Sequence, residues 1–454
     1  MDREIRLHDT KTGRKLPLEP RDPGRVGIYA CGPTVYNRIH VGNARPFVLP
    51  ALLKRFLEHE GYAVTFVANI TDINDKIYDA ARPLGVPSDR LAREMADHYI
   101  ADTDGLGVGR PDREPRASEA IEPIKELIQE LLDNGSAYAV DGDVYFRVRA
   151  DPAYGSLSHR SVDDMDQGEG VEGADRKEDP LDFALWKAAK PDEDTAWDAP
   201  WGRGRPGWHI ECSAMAEDEL GLGFEIHGGG NDLTFPHHEN EAAQTRRARG
   251  AELSRIWMHN GMLQMGGEKM AKSVGNITSL ADALAEYGRD ALIMFFVGGH
   301  YRQPVQFDEG TMAQAAANVR RLREAARRLG SGPSPPDLAP IKDRFFAALA
   351  DDFNTPAALA AVFDWVREAN RRDPGTGDAD LREMLTIFAL DNLLDAGDTD
   401  GQPDAAALAL LDRREAARAA RDFAEADRLR DELAAQGWQV RDSPDGPQLV
   451  PVEP

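Results

Sequence analysis

Gly27-Ile-Tyr-Ala-Cys-Gly-Pro-Thr-Val-Tyr-Asn-Arg-Ile-His-Val-Gly-Asn43 decides the fold of this 454-residue chain. Residues 26–31 read as a short apolar strand. Gly32-Pro33 breaks it, and a helix begins near Gly42. In an open α/β sheet, ligands bind beyond the carboxyl ends of strands, where such a loop hands over to a helix. A helix start offers unpaired N–H groups and a positive dipole end, which suit a phosphate. The stretch therefore sets a soft thiolate candidate, Cys31, beside an anion-binding candidate, His40-Val-Gly-Asn43.

Working outward, residues 47–62 carry helical spacing, and 62–68 read as a buried strand ending in the polar cluster Asn69-Ile-Thr-Asp-Ile-Asn-Asp-Lys76. This is a βαβ unit. Ser88 is expected to cap a helix through 91–99, and a further helix spans 117–134 with Gly135 as its stop. A strand is expected at 144–148, a mobile acidic loop at 163–179 and an ordered segment at 181–187. Residues of about 115–200 read as an insertion between two halves of a sheet. The second half returns with a helix from Gly207 to 220, a strand at 224–227 and Gly228-Gly-Gly-Asn-Asp232. Phe235-Pro-His-His-Glu-Asn-Glu241 follows, with Pro236 in a first helical turn, then a strand at 255–259 and a flexible basic loop at 266–273. From 311 the texture turns to Ala- and Arg-rich helices, with Pro/Gly breaks at 330–340 and 395–404. The fold class is α/β: a Rossmann-type parallel-sheet catalytic domain over 1–310, with the insertion, then a mostly α-helical domain over 311–454.

Bulk properties exclude several classes. A hydrophobic content of 41% fits a soluble globular protein. No run of about 18 apolar residues exists, 291–297 being too short, and the N-terminus lacks the apolar core of a secretion signal. A cytoplasmic protein is expected. The formal charge of −25 argues against a generic nucleic-acid coat, though not against local basic patches. The Arg and acid excess fits either a saline habitat or a GC-rich genome.

The chain has two cysteines, Cys31 and Cys212. They are either buried free thiols or shared metal ligands. His237 and Glu241 stand four apart on an expected helix, so both project from one face. Zinc accepts thiolate, imidazole and carboxylate, and a weakly held carboxylate is the natural one to yield to an incoming ligand. Without the metal, His237 packs and Glu241 is a solvated helix residue; the joint placement favours zinc. A second constellation pairs His40-Val-Gly-Asn43 with Lys269-Met-Ala-Lys-Ser273. Activating a carboxylate with ATP builds charge on a pentacoordinate α-phosphate. Imidazole, amide and ammonium donors stabilise that charge electrostatically, and two lysines on a glycine-flanked loop can clamp the pyrophosphate.

These stretches, with Gly207-Trp-His-Ile-Glu-Cys-Ser-Ala-Met215 and Ile226-His-Gly-Gly-Gly-Asn-Asp-Leu233, resemble cysteinyl-tRNA synthetases, class I aminoacyl-tRNA synthetases, over essentially the whole length. The resemblance implies a ligase that activates L-cysteine with ATP to cysteinyl-adenylate, releasing pyrophosphate, and transfers the cysteinyl group to tRNA(Cys), with one Zn2+ per chain and Mg2+ accompanying ATP. It puts the metal ligands on Cys31, Cys212, His237 and Glu241, and the two signature motifs on 40–43 and 269–273. His40, Asn43, Lys269 and Lys272 are then catalytic, and Gly42, Gly230, Asp232 and Ser273 join them in binding ATP. Thr71 and Trp208 line the amino-acid pocket with Cys31, and Asp72 holds the substrate ammonium. Two departures stand out. Asn43 replaces the usual histidine and cannot carry charge, and Ala271 replaces the usual serine while both lysines survive.

A magnitude supports zinc as the selector. A shaped pocket separates near-isosteres such as serine and cysteine by about 1–3 kcal/mol, whereas roughly 10⁴-fold discrimination needs about 5.5 kcal/mol. A Zn–thiolate bond of about 2.3 Å, open only to a group that ionises near neutrality, supplies the rest. No insertion is large enough for an editing domain. The C-terminal region is expected to read tRNA through arginine clusters at 318–328 and 413–418 and a stacking platform of Trp438 with Arg441. Gly288-Arg-Asp-Ala-Leu-Ile293 resembles the start of the family's linker. A monomer without membrane contact is expected. The alternatives are a cysteine:glucosaminyl-inositol ligase on the same catalytic half, disfavoured by the helical tail, and an inactive nucleotide-binding regulator, disfavoured by the intact motifs.

Overall fold

The opening stretch forms strand β1, Arg25–Ala30, and helix α1, Val41–His59, in a computed structural model. The structure describes residues 3–165, 175–191, 193–265, 268–269, 278–395, 405–419, 422–435, 438–443 and 446–451. Three more strands complete the central sheet: β2, Ala63–Ala68; β3, Phe224–Gly230; and β4, Ser254–Asn260. All pair in parallel, in the order β4-β3-β1-β2. α1 carries the chain from β1 to β2 on one side, whereas β3 joins β1 from the other side much later in sequence. The strand order thus reverses between β1 and β3, the place where an open α/β sheet leaves a ligand crevice.

The insertion folds as a second sheet, antiparallel, of Ala137–Val140, Asp143–Phe146, Phe183–Ala188 and Gly204–Pro206. The sequence reading saw one strand here and missed its partner. Asp141 and Gly142 are not merely a break: both have positive φ (51° and 88°), the geometry of a tight hairpin turn. The helix Ile121–Asp133 buries Ile124, Leu127, Ile128 and Leu131 against Val144, Phe146, Phe183 and Trp186. An ion-pair clamp ties this layer to the sheet side. Buried Arg205 meets Asp75 and Glu193, and Lys187 Nζ lies 2.7 Å from Asp75 Oδ2. Gly207 then lets the chain pass hard against the insertion, since a Cβ there would sit 2.0 Å from the Ala184 oxygen. Two helices follow, α2 at Trp208–Leu220 and α3 at Glu239–Arg249.

Ser88 does not cap its helix. The helix spans Ser88–Asp104 with Pro87 at the cap, and Ser88 donates through N and Oγ to the Asp194 carboxylate. The expected loop at 163–179 lies largely outside the described residues.

One apolar core runs from the sheet and α1 (Ile28, Leu52, Phe56) through Leu292 and Phe296 to Phe345, Trp365, Leu385 and Leu393. A separate cluster of Ala407, Leu410, Leu411, Leu429, Leu433 and Leu449 holds the last helices, Ala405–Ala419 and Phe423–Ala435. The mostly helical C-terminal region also contains a hairpin that the sequence reading lacked, Trp438–Ser443 against Gly446–Pro451. Among the described residues, no helix is long and apolar enough to cross a membrane.

Candidate active site

Cys31 is the first residue beyond β1. Its N–H donates to the Gly228 oxygen at 3.1 Å, which brings the sulfur to the end of β3. Cys212 lies on α2, Glu241 on α3, and His237 on the π-helical turn Thr234–His238 that leads into α3. The four side chains are buried, and their ligand atoms lie within 4.8 Å of one another. Cys31 Sγ is 3.6 Å from His237 Nε2 and 3.5 Å from Glu241 Oε1, and these last two atoms are 3.0 Å apart. A tetrahedral zinc site with bonds of about 2.0–2.3 Å has edges of about 3.3–3.8 Å, so the donor set fits such an ion in chemistry and in size.

Histidines that the sequence reading did not single out wrap this cluster. His227 Nε2 is 2.7 Å from Glu241 Oε2, and His209 Nδ1 is 2.8 Å from His237 Nδ1. His238 Nε2 sits 3.3 Å from Cys31 Sγ, and its Nδ1 is 2.7 Å from His259 Nε2, whose other nitrogen meets Thr10 Oγ1 at 2.7 Å. Cys31, His227, His238 and Glu241 form a second possible metal-binding set around the same two ligands. The available signal was positional: His227 and His259 stand near the carboxyl ends of β3 and β4, the rim where an α/β sheet presents its functional side chains.

The electrostatics are those of a tightly packed buried cluster of titratable groups. Burial, and then the Cys212 sulfur, push the Cys31 thiol up. The hydrogen bond from Cys31 draws Cys212 down to about 6. Burial works against the charged form of His237, but the Glu241 and Cys212 anions outweigh it and raise the imidazole to about 10. Glu241 is held well below the usual carboxylate range, burial being overcome by His227 and His237. Burial and the neighbouring His227 depress His238 and His259, the latter to about 3, so both stay neutral. Burial, and then the Cys212 sulfur, also push the Glu211 carboxyl well up.

Trp208 stacks on His237 with ring centroids 4.2 Å apart, and Lys76 Nζ lies 5.9 Å above the Trp208 ring. Both belong to the wall of a cleft of about 400 Å³, which also brings together Cys31, His40, Gly42, Asn43, Gly230 and Asp232. Gly42 is needed there because a Cβ would come within 2.9 Å of the His40 ring. Asn43 closes the turn: its N–H donates to the His40 oxygen at 2.8 Å, and its Oδ1 accepts from the His40 N–H at 3.3 Å. At Gly32 a Cβ would strike the Asn69 oxygen at 1.7 Å, so the first loop and the Asn69 segment lie against one another. Thr71 is buried and accepts from Asn69 Nδ2 at 3.2 Å.

Other expected residues are placed differently. Asp72 faces away from this cleft. Its carboxylate accepts from Ser118 N at 2.9 Å and Ser118 Oγ at 2.6 Å, and it lines another cavity, of about 280 Å³, with Arg116 and Trp197. Lys272 and Ser273 lie outside the described residues. Of Lys269 the structure describes the backbone, which pairs with Gln264. Of the expected stacking platform, the side chain of Arg441 lies outside the described residues. Trp438 instead packs on the small C-terminal cluster. Several arginines of the expected basic clusters are engaged within the fold: Arg323 with Asp290, Arg321 over the Phe363 ring, and Arg414 with Glu415.

Residues 17–317 match the family described as "tRNA synthetases class I (C) catalytic domain", 344–390 match "DALR domain", and 400–449 match "Cysteinyl-tRNA ligase anticodon binding domain". Proteins named "Cysteine--tRNA ligase" from Alkalilimnicola ehrlichii and Pelotomaculum thermopropionicum are 46% and 44% identical. The alignments span 97% of this chain and 98% and 99% of those relatives. In fold, the chain is similar to Mycobacterium tuberculosis methionyl-tRNA synthetase in complex with methionyl-adenylate (TM-score 0.60, 18% identity, 82% of this chain and 89% of that one). It is also similar to an Agrobacterium radiobacter leucyl-tRNA synthetase in a ternary complex (TM-score 0.61, 11% identity, 84% and 86%). With a parallel sheet, a buried Cys/His/Glu cluster able to hold a metal at its switch point and near full-length matches on both sides, the chain belongs to the cysteinyl-tRNA synthetase family of class I aminoacyl-tRNA synthetases.

Proposed function

We propose that this cysteine–tRNA ligase selects L-cysteine at a zinc ion held by Cys31, Cys212, His237 and Glu241, and activates it with ATP in the adjoining cleft. The observation that carries the reading is the approach of four buried ligand atoms, from segments far apart in sequence, to within 4.8 Å at the wall of that cleft. A bound zinc supplies a Lewis-acid seat that takes the substrate sulfur as thiolate and refuses the serine hydroxyl. Trp208, stacked on His237, walls this end of the cleft and limits water beside the substrate. His40, at the entrance of α1, and the N–H groups of the first helical turn face the α-phosphate, where they stabilise the charge that builds as the carboxylate attacks. Lys269 and Lys272 hold the pyrophosphate, with Mg2+ accompanying the nucleotide. Gly230 and Asp232 meet the ribose, and Thr71 borders the amino acid. Lys76 is a better placed charged neighbour of the pocket than Asp72.

The second step passes the cysteinyl group to tRNA(Cys), with residues 1–310 as the catalytic part and 311–454 as the part that grips the tRNA. One chain supplies every residue of this site, so a cytoplasmic monomer suffices. The test is ATP–pyrophosphate exchange with cysteine and with serine, before and after zinc removal. Cysteine-dependent, zinc-dependent exchange with serine silent is expected; exchange that survives complete zinc removal refutes the zinc reading.

A further inference from the structure

Arg45 is 1% exposed, yet no carboxylate is recorded within ion-pair distance of it among the described residues. Burying a guanidinium is costly unless each donor finds a partner. Its terminal nitrogens meet three backbone oxygens, while Nε is buried with no partner among the described residues: Nη1 donates to Gly261 and, at 2.8 Å, to Gln303, and Nη2 donates to His300 at 3.1 Å. Burial draws it down only to about 10, so it remains a cation at neutral pH.

The place of those oxygens gives the arrangement its meaning. Arg45 stands one turn beyond His40-Val-Gly-Asn43 on α1. Gly261 and Met262 form the opposite wall of the nucleotide cleft. Gly261 presses so closely on the turn at 300–304 that a Cβ would fall 2.3 Å from Gln303. Its N–H donates to the Tyr301 oxygen at 2.8 Å, and Val305 N–H to the Met262 oxygen at 3.1 Å. From this wall the chain runs into the strand Leu263–Met265, which pairs with Val305 and Gln306 on one side and with the Lys269 backbone on the other. A second tie joins the same two walls further along: Val41 N–H donates to Thr278, Leu280 N–H donates to Ile39, and His40 bridges Ser279. The backbone at both ends of the lysine segment is therefore bonded to the stretch 39–45, one end through Arg45.

We infer that Arg45 is a positioning residue for the ATP half-reaction: its three-carbonyl grip sets the Gly261–Met262 wall, and through it the root of the lysine segment, at the spacing from His40 that the triphosphate requires. A guanidinium suits the task because its rigid fork reaches several oxygens at once, whereas an ammonium is a single compact charge. The inference rests on the reading of 40–43 as the nucleotide site.

The test is ATP–pyrophosphate exchange on the full-length, zinc-loaded enzyme carrying Arg45→Met, with ATP and cysteine varied separately. A shift of about 1 Å in a reacting group costs on the order of 100-fold, so kcat/KM for ATP is expected to fall about 10- to 100-fold. The KM for cysteine and the bound zinc stay within about twofold of wild type. Arg45→Lys recovers part of the loss at most. Should Arg45→Met fail to fold, Gly261→Ala decides, because it displaces a carbonyl that Arg45 grips while leaving the guanidinium in the chain, and is expected to give the same split. ATP parameters within twofold of wild type, or equal losses for ATP and cysteine, overturn the inference. An unaltered rate in His40→Asn would instead overturn the underlying nucleotide reading.

Discussion

The two ends of the cleft are built on opposite plans. At the cysteine end, candidate metal ligands from three stretches of chain converge, and Cys31, Cys212, His237 and Glu241 are all buried and braced by further histidines. At the nucleotide end, His40 and Asn43 are half-buried on a helix start, Asp232 is exposed, and the far wall is held by backbone hydrogen bonds and one arginine. Discrimination between sulfur and oxygen needs donors fixed in place, with only a weakly held carboxylate free to yield to the incoming sulfur, and a buried, braced cluster gives that. A triphosphate must enter and its pyrophosphate leave, which calls for an open wall whose parts are tied rather than packed.

The sharpest way to break this contrast is at the cage. Cys212→Ser or His237→Ala is expected to cut cysteine-dependent exchange by about 10³-fold or more, on the scale of the roughly 10⁴ discrimination zinc is asked to supply. Bound zinc falls with it, while ATP binding measured by calorimetry persists. Loss of ATP binding in the same variants would show the two ends to be one unit. The converse variant, His40→Asn, replaces an imidazole that can carry charge with a shorter neutral amide and should lower kcat by about 10²- to 10³-fold, leaving zinc content and the KM for cysteine unchanged.

Metal uptake sharpens the comparison through its pH dependence. Near neutrality the empty cage carries a proton on Cys31, whose thiol is pushed up, and one on His237, raised to about 10, whereas Cys212, near 6, has already lost its own. An incoming ion displaces both protons, so affinity rises with pH, by up to about 100-fold per unit across roughly pH 7–9. Competition with a chelator at three pH values checks this; a flat profile contradicts it. The smallest effect belongs to the tail. Trp438→Ala removes a partly buried ring from a small cluster and costs about 1–3 kcal/mol there, less than a fully buried tryptophan. Cysteine activation stays within twofold, and the KM for tRNA rises; an equal loss in both steps would contradict a role confined to tRNA.

Sequence spacing exposed the parallel strands, because buried strands read as short apolar runs, and it picked out four residues that the structure brings together as a possible metal site, because both cysteines and an H-x-x-x-E pair converge on one chemistry. What it hid depended on tertiary contact. His209, His227, His238 and His259 gain their meaning from neighbours on other elements, which spacing cannot show. Asp72 looked like a binding carboxylate at a strand end, but Ser118, 46 residues away, turns it elsewhere. Arg45 read as an ordinary helix arginine, since its acceptors are backbone oxygens with no sequence signature. The insertion sheet and the C-terminal hairpin escaped because strands of three to six residues leave too few positions for alternation to register.

The separate packing of the last helices has a thermodynamic consequence. The sheet, α1 and the helices down to Leu393 share a core and are expected to melt cooperatively, while the residues around Leu410, Leu429 and Leu449 rest on their own few contacts. A calorimetric trace therefore resolves a small early endotherm and a large late one. Cognate tRNA, gripping the tail, lifts the first by RT ln(1 + [L]/Kd). Cysteinyl-adenylate, seated at the sheet, lifts only the second.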